Sequence, residues 1–564
     1  MTIEKAMKKW EEEVRAPHLK ERPETSPEFK TLSGYPVKPI YTPDDVEGLD
    51  YLRDIGFPGQ EPFTRGRTPN GYRSFDWPHD FYAGFGSSES ANERYRDLVN
   101  HGANVITLAL DLPTQIGLDS DDPLAVGEVG KVGVALASLA DIERTLEGID
   151  ILKTGVGNVA NGIGPYALSL VLALADKQGK DPAYLRQCRI QNDPLKEFSG
   201  RGTYIFPVAP SIELSTDVVE YICKNFSDKW HWQWVPQYVC TGQMRSGGVS
   251  ASQEIGFGFA HFITYIDSAL RRGLSLSDFV PKMELHGEAD IDLFEEVAKF
   301  RAARRLWAKI IKERYKCDDP DVLGLRISTY ASISRMTAQQ PLNNMARITI
   351  QVMAAFMGGS EHIWAPAYDE ALALPTSETT RVANQVKFIV HHEGGLKNTI
   401  DPLAGSYYVE KLTSQIEEEA RYWLEEIERK GGVPAAIESG FYFSEELKGR
   451  YKYQKEVESG DRKILGINYM QAPEEVPIDI FQIDPGDEQR QVKRLQKLRE
   501  TRDNKLARQR LEEMGEIAEK KAIDGKINIV PSMLNAVKAY ATIGEIYGVL
   551  RKVFGEFKAP LKIS

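Results

Sequence analysis

The sequence predicts an α/β fold, a (β/α)8 TIM barrel with an N-terminal arm and a C-terminal helical domain, divided as 1–45, 46–420 and 421–564. Three observations carry that expectation. Short apolar runs alternate with longer helical patterns through the middle of the chain, which is how the βα units of a parallel sheet read in sequence. Seven of those runs have strand character. Strand signals then fade, and the chain of 564 residues exceeds the roughly 250 typical of one such barrel.

Residues 1–45 open on a charged helical pattern, EKAMKKWEEEV, and continue through scattered prolines, the profile of an arm that wraps a partner. The strand candidates follow in order: NVITLALDLP (104–113), ILKTGVGNV (151–159), TYIFPVAP (203–210), QYVCTGQM (237–244), KMELHG (282–287), GLRISTYAS (324–332) and EHIWAP (361–366). Several carry Thr, Ser, Gly, Gln or Glu where a dry barrel interior wants Val, Ile and Leu, so a polar, threaded centre is expected. Residues 487–522 are charged and helical. Between 531 and 554, Leu534, Val537, Ile546, Leu550 and Val553 fall on one helical stripe, which reads as a packing domain.

Composition narrows the function classes. A hydrophobic fraction of 42% and a charged fraction of 27% are those of a folded globular protein with a sizeable core. The formal charge of -12 disfavours nucleic acid and anionic lipid as partners, because both reward basic surfaces. Cys188, Cys223, Cys240 and Cys317 form no C-x-x-C pair, which argues against a zinc site or a disulfide framework. No apolar leader region opens the chain and no run approaches the ~18 residues of a membrane span. A cytoplasmic protein is expected.

Local motifs are weak one at a time. Gly84, Gly86, Ser87 and Ser88 precede a helical run, which suits either an anion cradle or a plain helix start. Asp111, Asp119, Asp121 and Asp122 cluster around prolines and glycines without calcium-loop spacing, so turn and cap chemistry is expected. His286 and the pair His391 and His392 lack the H-E-x-x-H spacing, and no metal site is expected.

Taken with QNDPLKEFSGRGTYIFP (191–207), EEVAKFRAARRLWAKI (295–310), YDEALALPT (368–376) and IDPLAGSYYVE (400–410), these segments resemble the large subunit of the methylmalonyl-CoA mutase family of adenosylcobalamin-dependent mutases. The resemblance runs in order from about 45 to 555. It implies a barrel whose pore threads the pantetheine arm of coenzyme A, and a radical rearrangement of the acyl carbon skeleton. Tyr82 matches the aromatic that wedges between substrate and corrin; methylmalonyl-CoA members have Tyr there, isobutyryl-CoA members Phe and 2-hydroxyisobutyryl-CoA members Ile. Arg201 matches the arginine that pairs with a free substrate carboxylate, a task suited to a planar bidentate donor, where monocarboxylate members have Gln. The resemblance also implies substrate-side roles for Gln191, Thr68 and Lys282, and places Glu370 and Ser246 near the adenosyl ribose. Ala109 stands where the hydroxyisobutyryl members place Asp, which disfavours a hydroxylated substrate.

The departures are as informative. Where the family has Ser-Gly-Tyr-His, its His hydrogen-bonding the thioester carbonyl, this chain reads Cys240, Thr241, Gly242 and Gln243. Gln243 donates a hydrogen bond but supplies no proton. Ser246 replaces a ribose-binding carboxylate, Lys282 and Glu284 replace an Arg and a Ser near coenzyme A, and Gly242 for Tyr hints at a roomier pocket. None of the nine histidines has Asp two residues before it, so the cobalt-ligating D-x-H-x-x-G motif is not in this sequence. The resemblance therefore implies no cobalamin-binding domain in this chain, a separate cobalamin-binding small subunit and a hetero-oligomer. The expected function is an adenosylcobalamin-dependent mutase subunit isomerising an acyl-CoA with a second carboxylate, of methylmalonyl or substituted succinyl type. Two alternatives stay open, a non-catalytic barrel homologue with a structural role in a mutase heteromer, and a branched monocarboxylic, isobutyryl-type mutase.

Overall fold

Short runs of Val, Ile and aromatic residues become strands here because both of their faces are covered. The computed structural model describes residues 2–78, 80–226, 234–472 and 478–559. Its strands are β1 (Asp80–Ala83), β2 (Val105–Leu108), β3 (Gly155–Asn158), β4 (Cys188–Ile190), β5 (Trp234–Val235), β6 (Gln237–Cys240), β7 (Met283–Ala289), β8 (Ile327–Ala331) and β9 (Ile363–Trp364). The first five pair in parallel in chain order, and so do the last four. Pro236 separates β5 from β6; having no N–H, it interrupts the ladder and leaves the two as one broken strand position.

The two sheets enclose one interior. His362, just before β9, lies 3.2 Å from Asp80 at the start of β1, and Trp364 meets Tyr82 edge-on at 5.6 Å. Arg189 of β4 pairs with Glu284 of β7 at 2.7 Å and lies over the Tyr238 ring of β6 at 4.9 Å. Helices return the chain between strands, among them Ser88–Asn100, Gly164–Lys177, Val208–Phe226, Ala251–Arg271, Leu293–Tyr315 and Asn344–Met357. This is the (β/α)8 barrel. Helix starts are set locally: Ser250 and Gln253 form a reciprocal capping box, and Asp292 accepts from Glu295 N.

Three readings of the sequence need correction. TYIFPVAP holds no strand, because Pro207 leads directly into the helix Val208–Phe226. Its buried Ile205 and Phe206 instead cover the C-terminal region, Phe206 stacking on Tyr547 at 5.7 Å. The strand in that part of the barrel is β4, whose three residues carry an arginine in the middle. β1 was hidden in the same way, since it opens on Asp80 and reads as the approach to a glycine turn.

The boundary at 420 falls inside the helix Tyr407–Arg429, whose buried Leu412, Ile416, Ala420 and Leu424 pack on the barrel helices. Residues 531–554 form two helices, Val530–Lys538 and Ile543–Phe554, broken at Tyr540 with its φ of 59°. Ile543, Ile546, Tyr547 and Leu550 are buried in the core that covers β1 to β4, each contributing about 1.5–3 kcal/mol if wholly removed from water. The C-terminal helices thus complete the barrel's own core. At the other end of the chain, Ile3–Trp10 and Ala16–Glu21 bury no residue, and the arm is anchored only later, where Leu32 N and Ser33 N donate to Asp292 and Glu295. No helix among the described residues is long and apolar enough to cross a membrane.

The acidic cluster serves caps and ion pairs. Asp111 accepts from Thr114 N and Gly130 N, Asp122 caps Leu124, and Asp119 and Asp121 hold Arg499. The turn at Gly84 to Ser88 is a helix start, with Ser87 accepting from Ser90 N. The Asp487 carboxylate sits directly over Gly86, so this turn already faces a negative charge and does not offer an anion cradle.

Candidate functional site

Inward residues at the carboxyl ends of the strands surround a cavity of about 210 Å³. Tyr82, Gln191, Arg201, Gln243 and Glu370 all line it, brought together from β1, the segment after β4, the turns at 197–201 and 242–247, and the loop after β9. Arg201 donates to Gln115 Oε1, lies 3.6 Å from Glu197, and keeps its side chain 27% exposed at the rim. Gln191 Oε1 accepts from the buried Lys196 ammonium at 3.0 Å. Gln243 Oε1 accepts from Cys240 Sγ at 2.9 Å, which leaves its NH2 group for the cavity. Glu370 has a buried Oε2 with no partner, and burial followed by the neighbouring Asp369 pushes its carboxyl up to about 7.

Three residues expected at the site stand outside this cavity. Ser246 turns away and donates to Glu288 Oε2. Lys282 is buried immediately before β7, at the opposite end of the barrel. Thr68 lines a separate groove on the outside, with Arg65, Arg67 and Tyr72.

The pocket is not enlarged at Gly242. A Cβ there would stand 2.5 Å from Tyr330 Cε1 and 2.5 Å from its Oη, so the ring of a β8 residue fills the space that a side chain at 242 would take. Tyr330 lines the cavity and donates to Glu288 Oε2 at 3.3 Å. Reading β6 alone missed it. His286, singled out in sequence as an ordinary hydrogen-bonded histidine, is that and also a wall residue: its Nδ1 meets Ser328 Oγ at 2.8 Å, and burial lowers the imidazole to about 3. At His391, Nε2 contacts Asp76 at 2.7 Å, while the Lys397 ammonium lies 3.3 Å from His392 Nδ1.

Below the cavity the interior is filled by charge. Arg67 holds Glu361 with two bonds of 2.8 and 2.7 Å, and Arg326 lies 4.0 Å from Glu361 and 3.5 Å from Glu284. Glu284 pairs with Arg189, which lies 3.7 Å from Asp80, and Asp80 meets His362. Burial alone would raise the Asp80 carboxyl, but the His362 contact and the Arg189 charge hold it well below the usual range. Glu284 is likewise held low against its burial by Arg189 and Arg326. Asp80, Glu284 and Glu361 are thus each paired with a cation inside the barrel. Others of the polar strand residues, Thr107, Gly157 and Asn158 among them, line the cavity.

The methylmalonyl-CoA mutase family profile matches residues 30–556. The chain is similar to the 2-hydroxyisobutanoyl-CoA mutase large subunit of Aquincola tertiaricarbonis, at 34% identity over 557 residues, covering 99% of this chain and 97% of that protein. It is similar to the methylmalonyl-CoA mutase of Rhizobium meliloti (strain 1021), at 35% over 557 residues, covering 99% and 76%. It is also similar to the mitochondrial methylmalonyl-CoA mutase of Homo sapiens, at 34% over 532 residues, covering 94% and 69%.

Proposed function

Because the chain belongs to the methylmalonyl-CoA mutase family, we propose that it is the large subunit of an acyl-CoA mutase acting on a thioester with a second carboxylate. One observation carries the choice of substrate: Arg201 stands at the cavity rim beside Gln191 and Tyr82, a guanidinium where a distal carboxylate would lie. Tyr82, braced by Trp364, forms the aromatic wall that orients the acyl group and keeps water out. The Gln243 NH2 is the donor available to a thioester carbonyl, and Gln191 is held for the same side by Lys196.

The cofactor implied by the family fits one feature of this chain. Glu370 Oε2 is a buried acceptor with no donor, which suits a ribose hydroxyl of an adenosyl group. Radical chemistry comes from adenosylcobalamin when bound, and the protein's part is position, polarity and exclusion of water. We assign the corrin to a separate cobalamin-binding subunit and place the assembly in the cytoplasm. The words "large subunit" in the name of the Aquincola tertiaricarbonis relative support a partner chain.

The filled interior favours a second reading, a non-catalytic barrel chain within a mutase heteromer; the open cavity with Arg201, Tyr82 and Glu370 at its walls opposes it. One experiment separates them. The chain is mixed with a cobalamin-binding small subunit and adenosylcobalamin, and mono- and dicarboxylic acyl-CoAs are followed by mass-resolved chromatography. Interconversion of a diacid thioester is expected, with Arg201→Gln losing roughly 100-fold or more in kcat/KM on diacids and less than about 10-fold on monoacids, as for a lost charge-assisted pair. Equal loss on both would remove Arg201 from the carboxylate, and binding of no thioester would favour the non-catalytic chain.

A further inference from the structure

The helix Ser377–Phe388 runs on into a π-helical turn, Ile389–Glu393, that carries His391 and His392 side by side. Neighbouring side chains on a regular helix diverge by about 100°. In this wider turn the two imidazole rings have centroids 4.6 Å apart. Turns of this kind are rare in helices and recur at functional sites. A third group reaches the pair from the segment before β1: Asp76 lies 2.7 Å from His391 Nε2. One ligand atom from each of Asp76, His391 and His392 falls within 4.8 Å of the other two.

The three side chains are held as ligands are. His391 is buried and packs against Tyr72, Trp77 and Phe356 at ring distances of 5.9, 5.5 and 5.3 Å, while His392 stacks on Phe388 at 6.0 Å. Burial lowers the His391 imidazole, which keeps it neutral, and the contact with His391 holds the Asp76 carboxyl below its usual range. Neutral imidazole and ionised carboxylate are the forms that bind metal. A positive charge already stands at this point, because Lys397 Nζ lies 3.3 Å from His392 Nδ1 and 3.8 Å from Asp76. The lysine side chain is 35% exposed, so its ammonium reaches water by turning outward.

We propose that Asp76, His391 and His392 form a site for one divalent transition-metal ion of the zinc and cobalt class, with water completing its shell and Lys397 displaced to solvent. Two imidazoles and one carboxylate suit those ions, whereas Ca2+ and Mg2+ take sets of oxygen ligands. The ion ties the segment leading into β1 to a turn 315 residues further along the chain. Ligands that far apart leave no H-E-x-x-H spacing to read in sequence. The site is independent of the mutase reading. His391 Nδ1 has no partner in the protein, so the outer-shell support of the tightest zinc sites is missing and a Kd of about 1–10 μM is expected.

The test titrates Zn2+ into the chelator-treated full chain by calorimetry near neutral pH, and reads the shell of the loaded protein by X-ray absorption. One ion per chain with two imidazoles in its shell is expected. Asp76→Asn and His392→Ala, both at exposed positions, are each expected to weaken binding by about 100-fold or more, since losing even an outer-shell partner costs up to that much. Lys397→Met removes the competing charge and is expected to tighten binding by roughly 10-fold. No saturable binding to the wild type would overturn the proposal. Unchanged affinity and stoichiometry in both Asp76→Asn and His392→Ala would overturn it as well, because the ion would then sit on other surface groups. Weaker binding in Lys397→Met would overturn the displacement of the ammonium by the ion.

Discussion

The two ends of the barrel interior are built from the same kinds of residue and treat them in opposite ways. Toward the amino ends of the strands, each carboxylate has a cation and the guanidinium of Arg189 is shared between Glu284 and Asp80. Toward the carboxyl ends, Glu370 keeps an oxygen without a partner, Gln243 keeps its amide N–H groups, and Arg201 reaches solvent. Satisfied charge far from water is architecture. Polar groups left incomplete at the wall of the cavity are the ones positioned to meet a ligand.

That contrast makes two arginines a direct comparison. Arg189→Met removes the cation shared by two buried carboxylates, leaving Glu284 to Arg326 and Asp80 to His362, and is expected to lower unfolding free energy by about 3 kcal/mol. Arg201→Met, at a partly exposed rim, is expected to cost less than about 1 kcal/mol. Denaturant unfolding of both variants measures the difference. Comparable losses at the two sites would mean that the upper arginine is as structural as the lower one.

The second prediction concerns packing inside the upper region. Gly242→Ala drives a Cβ against the Tyr330 ring and is expected to destabilise by about 1–3 kcal/mol, the usual cost of overpacking. The same substitution in a Tyr330→Ala background should be nearly silent, since the obstructing ring is gone. The double-mutant cycle reads this coupling directly. An additive result would place Tyr330 away from Gly242 in solution and restore the roomier pocket that the glycine implies.

These two pairs also mark what the sequence could disclose. Strands such as Ile327–Ala331 and Val105–Leu108 announce themselves by β-branched runs, whereas Cys188–Ile190 does not, because its central arginine is explained only by Glu284 on another strand. TYIFPVAP looked like a strand since its apolar residues face a core, but that core is made with Tyr547 from the far end of the chain. At the site, Tyr82, Gln191, Arg201, Gln243 and Glu370 were legible by resemblance and gather around one cavity. Ser246, Lys282 and Thr68 were read by the same resemblance and do not join them. Pairing across strands, as between Gly242 and Tyr330 or between Arg189 and Glu284, leaves no local trace. It is the part of the design that only three dimensions reveal.

The smallest expected effect tests the claim that the upper end is incomplete. Glu370 has its carboxyl raised from an ordinary 4.5 to about 7, first by burial and then by Asp369. A raised carboxyl means that the native state holds the proton more tightly than the unfolded chain between those two values, so native stability from this group is fully present below about 4.5 and is lost as pH rises through about 7. Replacing the acid by the neutral amide in Glu370→Gln removes the titration. The wild type is therefore expected to lose ground to the variant between pH 5 and 8, by less than ~1.4 kcal/mol per unit because the side chain as a whole is only half-buried. Unfolding midpoints of the two proteins across that range give the slope. A constant difference would mean that Glu370 ionises as a surface carboxylate does, and the upper chamber would then be as wet and as undemanding as the protein's exterior.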